Sequence, residues 1–481
     1  MDNLFKNSQN KIECQKNGIC SKNPVLNSLE ALIINEVRQI AFYSVKLKEF
    51  NFINKIIMEK GIKALTVSVS DIDFNKSAFL EFYNSIKNTK EEIENFYTKK
   101  IKENNLPLEF IAPVFSDNKE EKSLSSLIQK GEKIIKQFYQ STQITKSRLI
   151  NLIISISKSA SKTLIELSKY KEADTNYYFE ILRLFSLTNF LGTREEKLKR
   201  RILEFSKIGY KLKQELNEEY IKVYGKIKNN VSIKTSIKKG NSILVSGPDI
   251  DELFKLLLKT KNENINVYIT PILIKAFIYP AFDQFENFCG VFGKNDIVYD
   301  FSKFKGSIYL TSNFSNEINS SYRGSIYTTK TIYPASCVKI TEENLELLIE
   351  KAKNTEGFDF EENNSTLQIE NTFDKTINPN EKILIVYGFL DDKIKEKFKG
   401  YNIINFYIPN DTTYFYEAIE FYKDNKNIEL YFANSTSTTL FVLSTILDKN
   451  FAAIYFEPVE NTGINPHCIE TLKKDFKINI V

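Results

Sequence analysis

Tryptophan is absent from the 481 residues, histidine occurs once and cysteine five times. Histidine is the commonest general base and metal ligand, so a lone His467 narrows the available chemistry. Five cysteines (Cys14, Cys20, Cys289, Cys337 and Cys468) in so long a chain make no disulfide framework. No apolar run approaches the ~20 residues that a bilayer span needs. The N-terminal stretch MDNLFKNSQNKIEC lacks the apolar core of a secretion signal. These absences predict a cytoplasmic protein with no membrane attachment. Charge of one sign is also scarce: 66 Lys and Arg face 61 acidic residues, a net +5. With the basic residues mixed among acids, no nucleic-acid partner is expected.

What is present supports a large core. The chain is 42% hydrophobic, enough for two to four domains. Its first half is helical by pattern. Apolar residues recur at three- and four-residue spacing in Leu26–Phe50, in Ser123–Gln140, in Asn151–Lys169 and in TREEKLKRRILEFSKIGYKLKQEL. The first two of these share an SLxxLI opening and a Phe-Tyr close, which hints at duplicated three-helix bundles. Thr193 and Glu196 have capping-box spacing, and the basic run Lys197–Arg201 reads as a solvated helix face. From about Ser232 short β-rich runs alternate with helical segments: SILVS, INVYI, GSIYLTS, SIYTT, KILIVYG, NIINFYI, NIELYFA, FAAIYF and INIV. That alternation predicts parallel sheets covered by helices. The fold class is therefore α + α/β. A helical bundle domain over 1–228 precedes a first α/β (Rossmann-like) domain over 229–356. A polar linker over 357–380 leads to a second, shortened α/β domain over 381–481.

Sheets of this kind bind ligands at the carboxyl ends of their strands. The tips here are SGPD (246–249), ITPI (269–272), TSNF (311–314), YGFL (387–390), ANSTS (433–437) and EPVENTG (457–463). None carries His or Cys, and no glycine-rich phosphate fingerprint accompanies a strand–helix turn. At SGPD, Ser246 can cap a helix, Pro248 suits its first turn, and Asp249, Asp251 and Glu252 favour its positive end. Cys14 and Cys20 are the one closely spaced cysteine pair, and no further thiol lies near them in sequence. They read as a remnant pair, since a cluster needs about four soft ligands. Cys289 and Cys337 lie in apolar surroundings and read as small core residues.

Several blocks, in order, resemble one known family along nearly the whole chain. They are NGICSKNPVLNSLEALIINEVRQIAFYSVKLKEF, GIKALTVSVSDIDFN, KVYGKIKNNVSIKTSIKKGNSILVSGPDI, INVYITPILIKAFIYPAF, GVFGKNDIVYDFSKFKGSIYLTSN, SSYRGSIYTTKTIYP and IYFEPVENTGINPHCIETLKKDFKINIV. The chain is similar to the hybrid-cluster (prismane, or hydroxylamine reductase) proteins. That resemblance implies helical bundles plus two α/β domains. It also implies a cubane iron–sulfur cluster near the N-terminus and a mixed iron–sulfur–oxygen cluster between domains, where hydroxylamine or nitric oxide is reduced.

The family's ligands fall on altered positions. Its strand-tip His falls on Pro248, its Glu after INVY on Ile272, and its Cys closing the LTSN strand on Phe314. The sulfur-modified Cys falls on Phe389 and a later Cys near Pro409, while the Glu and Lys of the penultimate unit fall near Ser435 and Ser437. Of the N-terminal cluster cysteines, only Cys14 and Cys20 remain. Hydrocarbon side chains at such positions are expected to fill the vacated cavity. The expectation is a cofactor-free, non-catalytic homologue with no catalytic residue, acting by binding as a homo-oligomer or paired with an active relative. Two alternatives stay open. One is an oxidoreductase holding an iron–sulfur cluster on other ligands; the other is a small-molecule-binding protein using the Ser/Thr/Asn-rich tips.

Overall fold

A computed structural model describes residues 24–67, 74–107, 123–141, 144–189, 192–228, 230–293, 297–311, 318, 320–361, 366–370, 378, 381–387, 392–406, 418, 427–433, 452–457, 466–476 and 478–480. Among the described residues seven α-helices come first: α1 (Pro24–Lys48), α2 (Lys55–Thr66), α3 (Lys76–Glu103), α4 (Leu124–Ser141), α5 (Ile144–Leu167), α6 (Thr175–Ser186) and α7 (Glu195–Tyr224). The central member is α1, packed against α2, α3, α4 and α6. Its apolar residues Leu29, Leu32, Val37 and Ile40 are fully buried. The close approach of α4 to α1 needs a glycine, because a Cβ on Gly131 would lie 2.1 Å from the Ser28 carbonyl oxygen. The predicted Thr193–Glu196 capping box does not form. The helix starts one residue later than the motif requires, with Arg194 as N-cap and no side-chain cap bond.

Strand β1 (Asn230–Lys234) pairs antiparallel with β8 (Thr366–Glu370), which lies within the stretch read as a linker. Between them the chain builds a six-stranded, all-parallel sheet. Its strands are β2 (Ser242–Ser246), β3 (Asn266–Ile269), β4 (Phe288–Val291), β5 (Ser307–Leu310), β6 (Ile326–Thr328) and β7 (Val338–Lys339), in the order β4-β3-β2-β5-β6-β7. Helices α8 (Ile250–Thr260), α9 (Ile297–Lys303) and α10 (Glu346–Lys353) accompany it. Two 3₁₀ segments, Pro271–Ile278 and Pro280–Gln284, follow β3 where a full crossover helix would normally run. Burial of β2 along its whole length explains why it reads as a continuous apolar run rather than an alternating one.

A second parallel sheet holds β9 (Ile383–Tyr387), β10 (Asn402–Phe406), β11 (Ile428–Ala433), β12 (Ala453–Glu457) and β13 (Asn479–Ile480), in the order β10-β9-β11-β12-β13. Helix α11 (Asp392–Lys397) joins β9 to β10, and α12 (Pro466–Asp475) precedes β13. This last helix returns to the helical layer and packs on α5. There Asp475 pairs with Lys199 (2.9 Å) and Arg148 (3.8 Å), and Glu470 pairs with Arg148 (3.6 Å). The α + α/β class read from sequence is the observed one. Among the described residues no helix is long and apolar enough to cross a membrane.

Candidate functional site

The carboxyl edge of the six-stranded sheet meets the ends of α5 and α7, and the polar residues of that seam form the candidate site. At the tip of β2 the chain turns through Gly247, whose φ of +122° is strained for any residue with a Cβ. The helix that follows is capped neither by Ser246 nor from Pro248. Ser246 ends the strand, and the N-cap is Asp249, whose carboxylate accepts the Glu252 amide at 3.1 Å. Pro248 precedes the cap and is exposed.

Asp249 also accepts from the Lys169 ammonium at 2.6 Å, joining the sheet to the end of α5. Burial pushes the Asp249 carboxyl up, but Lys169 and Lys330 outweigh it and hold the group below its ordinary value. Burial likewise opposes the charge on Lys169, and its acidic neighbours, Asp249 foremost, raise it on balance.

Glu252 is 2% exposed and held by three donors. The Tyr309 hydroxyl, the Thr329 hydroxyl (2.8 Å) and the Lys330 ammonium (2.6 Å) all reach its carboxylate. Burial dominates and raises its pKa, while Lys330 works in the other direction. Strand tips are tied together by hydroxyls. Thr270 donates to Ser246 Oγ (3.3 Å), and Thr328 donates to the Leu310 carbonyl (3.0 Å). The Asp249 amide donates to Thr311 Oγ1 (3.4 Å).

On the helical side, four tyrosines crowd the seam. Tyr170 and Tyr224 share a hydroxyl–hydroxyl bond of 2.9 Å, and Tyr220 donates to the Glu166 carboxylate. The Tyr220 ring lies 6.0 Å from that of Tyr279. Lys275, in the 3₁₀ segment after β3, is 4% exposed and sets its ammonium 5.0 Å from the centre of the Tyr220 ring. A desolvated cation–π contact of this kind contributes about 2 kcal/mol.

The positions expected to have lost metal ligands can be followed only in part. Phe314, Phe389, Pro409, Ser435, Ser437, Cys14 and Cys20 lie outside the described residues. Pro248 and Ile272 are described: Pro248 lies in a turn, as read from sequence, whereas the expectation that Ile272 packs as apolar filling fails. Pro248 is exposed on the turn, and Ile272 is 52% exposed at the head of the 3₁₀ segment. The short 3₁₀ run leaves the second residue of its first turn facing outward rather than into the sheet. Neither side chain has a donor atom for iron. The nearby carboxylates Asp249 and Glu252 are already committed to ammonium groups, so the described part of this edge does not fit an iron–sulfur–oxygen cluster. Among the described residues no group of three or more His, Cys, Asp and Glu is arranged to hold a metal ion. Cys289 and Cys337 are buried, as their apolar surroundings predict. The basic run Lys197–Arg201 does lie on a solvated face, where Arg200 and Arg201 pair with Glu204.

Sequence reasoning assigned Glu252 only to the electrostatics of a helix start and passed over Lys275, Tyr309, Thr329 and Lys330. A signal for Lys275 was present: it is the single charge in the apolar run PILIKAFIYPAF. The Glu252 partners carried none, because two strands distant in sequence, β5 and β6, bring them to the start of α8.

A model of the Prismane/CO dehydrogenase family matches residues 8–419. Curated relatives include a hydroxylamine reductase of Halothermothrix orenii, 23% identical over 328 residues that make up 66% of this chain and 57% of the relative. The hydroxylamine reductase of Petrotoga mobilis is 23% identical over 324 residues, 66% of this chain and 58% of the relative. That of Clostridium tetani is 25% identical over 348 residues, again 66% and 58%. The chain thus spans somewhat more than half the length of these relatives.

Proposed function

The chain belongs to the Prismane/CO dehydrogenase family, and from that premise we propose that it is a cluster-free member that acts by binding rather than by redox catalysis. One observation carries the reading. At the carboxyl edge of the first sheet two buried carboxylates are each held by internal partners, Glu252 by Tyr309, Thr329 and Lys330, and Asp249 by Lys169. The two described positions where the family resemblance places ligands hold Pro248 and Ile272, which have no lone pair to give a metal. A network satisfied in this way holds its shape without a prosthetic group. Binding is the role left to such a site, with a second copy or an active relative as the macromolecular partner.

Anaerobic reconstitution with ferrous iron and sulfide, followed by desalting, tests this. The expected product is colourless and oxidises no reduced viologen on addition of hydroxylamine. A desalted protein with charge-transfer absorption and hydroxylamine-dependent turnover refutes the proposal.

A further inference from the structure

We infer that α12 is a releasable latch, which joins the second parallel sheet to the helical layer through a seam of buried charges and opens as a unit while the helices beneath it stay folded. The inference stands apart from the cluster question, since its residues lie on α5, α7 and α12 rather than at the carboxyl edge of the first sheet. In sequence α12 belongs to the second sheet. It precedes β13, which pairs with β12 at Tyr455–Asn479 and Phe456–Ile480. In space it packs on α5, and among the described residues no other element of that sheet packs as extensively on the helical layer.

The contact is part apolar and part charged. Thr471, Leu472 and Phe476 of α12 are buried. So are the charges beside them: the side chains of Arg148 and Asp475 are only 10% and 7% exposed. Burying such a pair is offset only by close geometry and complete hydrogen bonding. Here both fall short. The Arg148 guanidinium stands 3.8 Å from Asp475 and 3.6 Å from Glu470, beyond hydrogen-bond reach, and Lys199 alone comes close, at 2.9 Å from Asp475. Among the described residues, Arg148 Nε and Asp475 Oδ2 are buried without a hydrogen-bond partner. The same holds for Nδ2 of Asn151, which follows Arg148 by three residues and shares its side of α5.

Glu252 is the contrast, since all three of its donors bond it directly. The seam under α12 carries the desolvation cost of its charges without the bonds that offset it, so it gives way before the layers it joins. Release is reversible for the same reason. Lys199 and Glu470 already reach water, at 32% and 26% exposure, and Glu470 keeps Lys474 as a partner when the latch is open.

Native-state amide exchange of the full chain, read by mass spectrometry at low denaturant, tests this. In the wild type, 466–476 is expected to exchange at least about tenfold faster than β2 and with a weaker denaturant dependence, while α5 keeps its protection. Replacing the poorly paired charges by apolar side chains, in Arg148→Met with Asp475→Leu, is expected to tighten the latch and slow exchange in 466–476 by about tenfold or more. A merely structural salt bridge moves the other way. Exchange of 466–476 in step with β2 or with α5 in the wild type overturns the inference, and so does faster exchange in the double variant. Should that variant fail to fold, Asn151→Leu takes its place: slower exchange in 466–476 supports the latch, and unchanged or faster exchange refutes it.

Discussion

Glu252→Ala tests whether the sheet edge is held by its own charges. The carboxylate is 2% exposed and accepts from Tyr309, Thr329 and Lys330, and the Tyr309 ring is fully buried. Truncation strands one ammonium and two hydroxyls whose alternative partners are scarce. Breaking a buried ion pair from one side costs about 3–5 kcal/mol, and an unsatisfied buried hydroxyl adds about 1–3 kcal/mol. Partial entry of water lowers the sum, because the Lys330 side chain retains 25% exposure. The net expectation is about 4 kcal/mol by urea denaturation, read at unchanged m-value. Tyr309→Phe removes one donor to a charged group and is expected to cost about 1.5–3 kcal/mol. In a double-mutant cycle the two changes are strongly sub-additive, since each removes the same bond. A loss below about 1 kcal/mol for Glu252→Ala, or full additivity with Tyr309→Phe, refutes the reasoning.

Three further outcomes are expected. Glu36 is buried in the helical layer with one long bond, from Tyr83 at 3.4 Å, and burial raises its carboxyl against the opposing Lys90, Lys130 and Lys87. Because the folded state holds that proton more tightly, the contribution is full below the ordinary carboxylate value and is lost as pH rises through the raised one. Glu36→Gln, which stays neutral, therefore gains stability over wild type at pH 8 relative to pH 4, and equal differences at both pH values contradict this. Gly131→Ala gains about 1 kcal/mol of helix propensity but places a Cβ 2.1 Å from the Ser28 carbonyl. The clash wins, and a net loss of about 1–3 kcal/mol in denaturant is expected; a stabilised variant contradicts the close α1–α4 contact. Asp475→Ala strips Lys199 of its carboxylate and leaves Arg148 with Glu470 alone. It is expected to cost about 3 kcal/mol and to speed amide exchange in 466–476 more than in β2, whereas unchanged exchange there contradicts the docking of α12.

Periodicity made the architecture readable, because each strand buried on both faces left an uninterrupted apolar run, as SILVS and KILIVYG did. Strands β1, β4, β7 and β8 were not legible. Phe288–Val291 is short and contains Gly290, whose glycine is demanded by the Lys234 carbonyl 2.1 Å from where a Cβ would stand. Val338–Lys339 spans two residues, too few for any period. The 3₁₀ run after β3 carried no period of its own, since PILIKAFI is apolar apart from Lys275. At the site, local chemistry was legible and long-range pairing was not. The cluster Asp249, Asp251 and Glu252 is visible in one stretch, but Lys169 lies 80 residues from Asp249 and Lys330 lies 78 from Glu252. The packing expected of Ile272 failed because residue type alone does not say which way a 3₁₀ turn faces.

The central claim, a family member that holds its sheet edge without a metal cluster, is most directly tested by iron and acid-labile sulfide analysis of protein purified under strict anaerobiosis. The account predicts far less than one iron per chain and no paramagnetic signal after dithionite. Several irons per chain that survive dialysis, with matching sulfide and a cluster-type paramagnetic spectrum, contradict it.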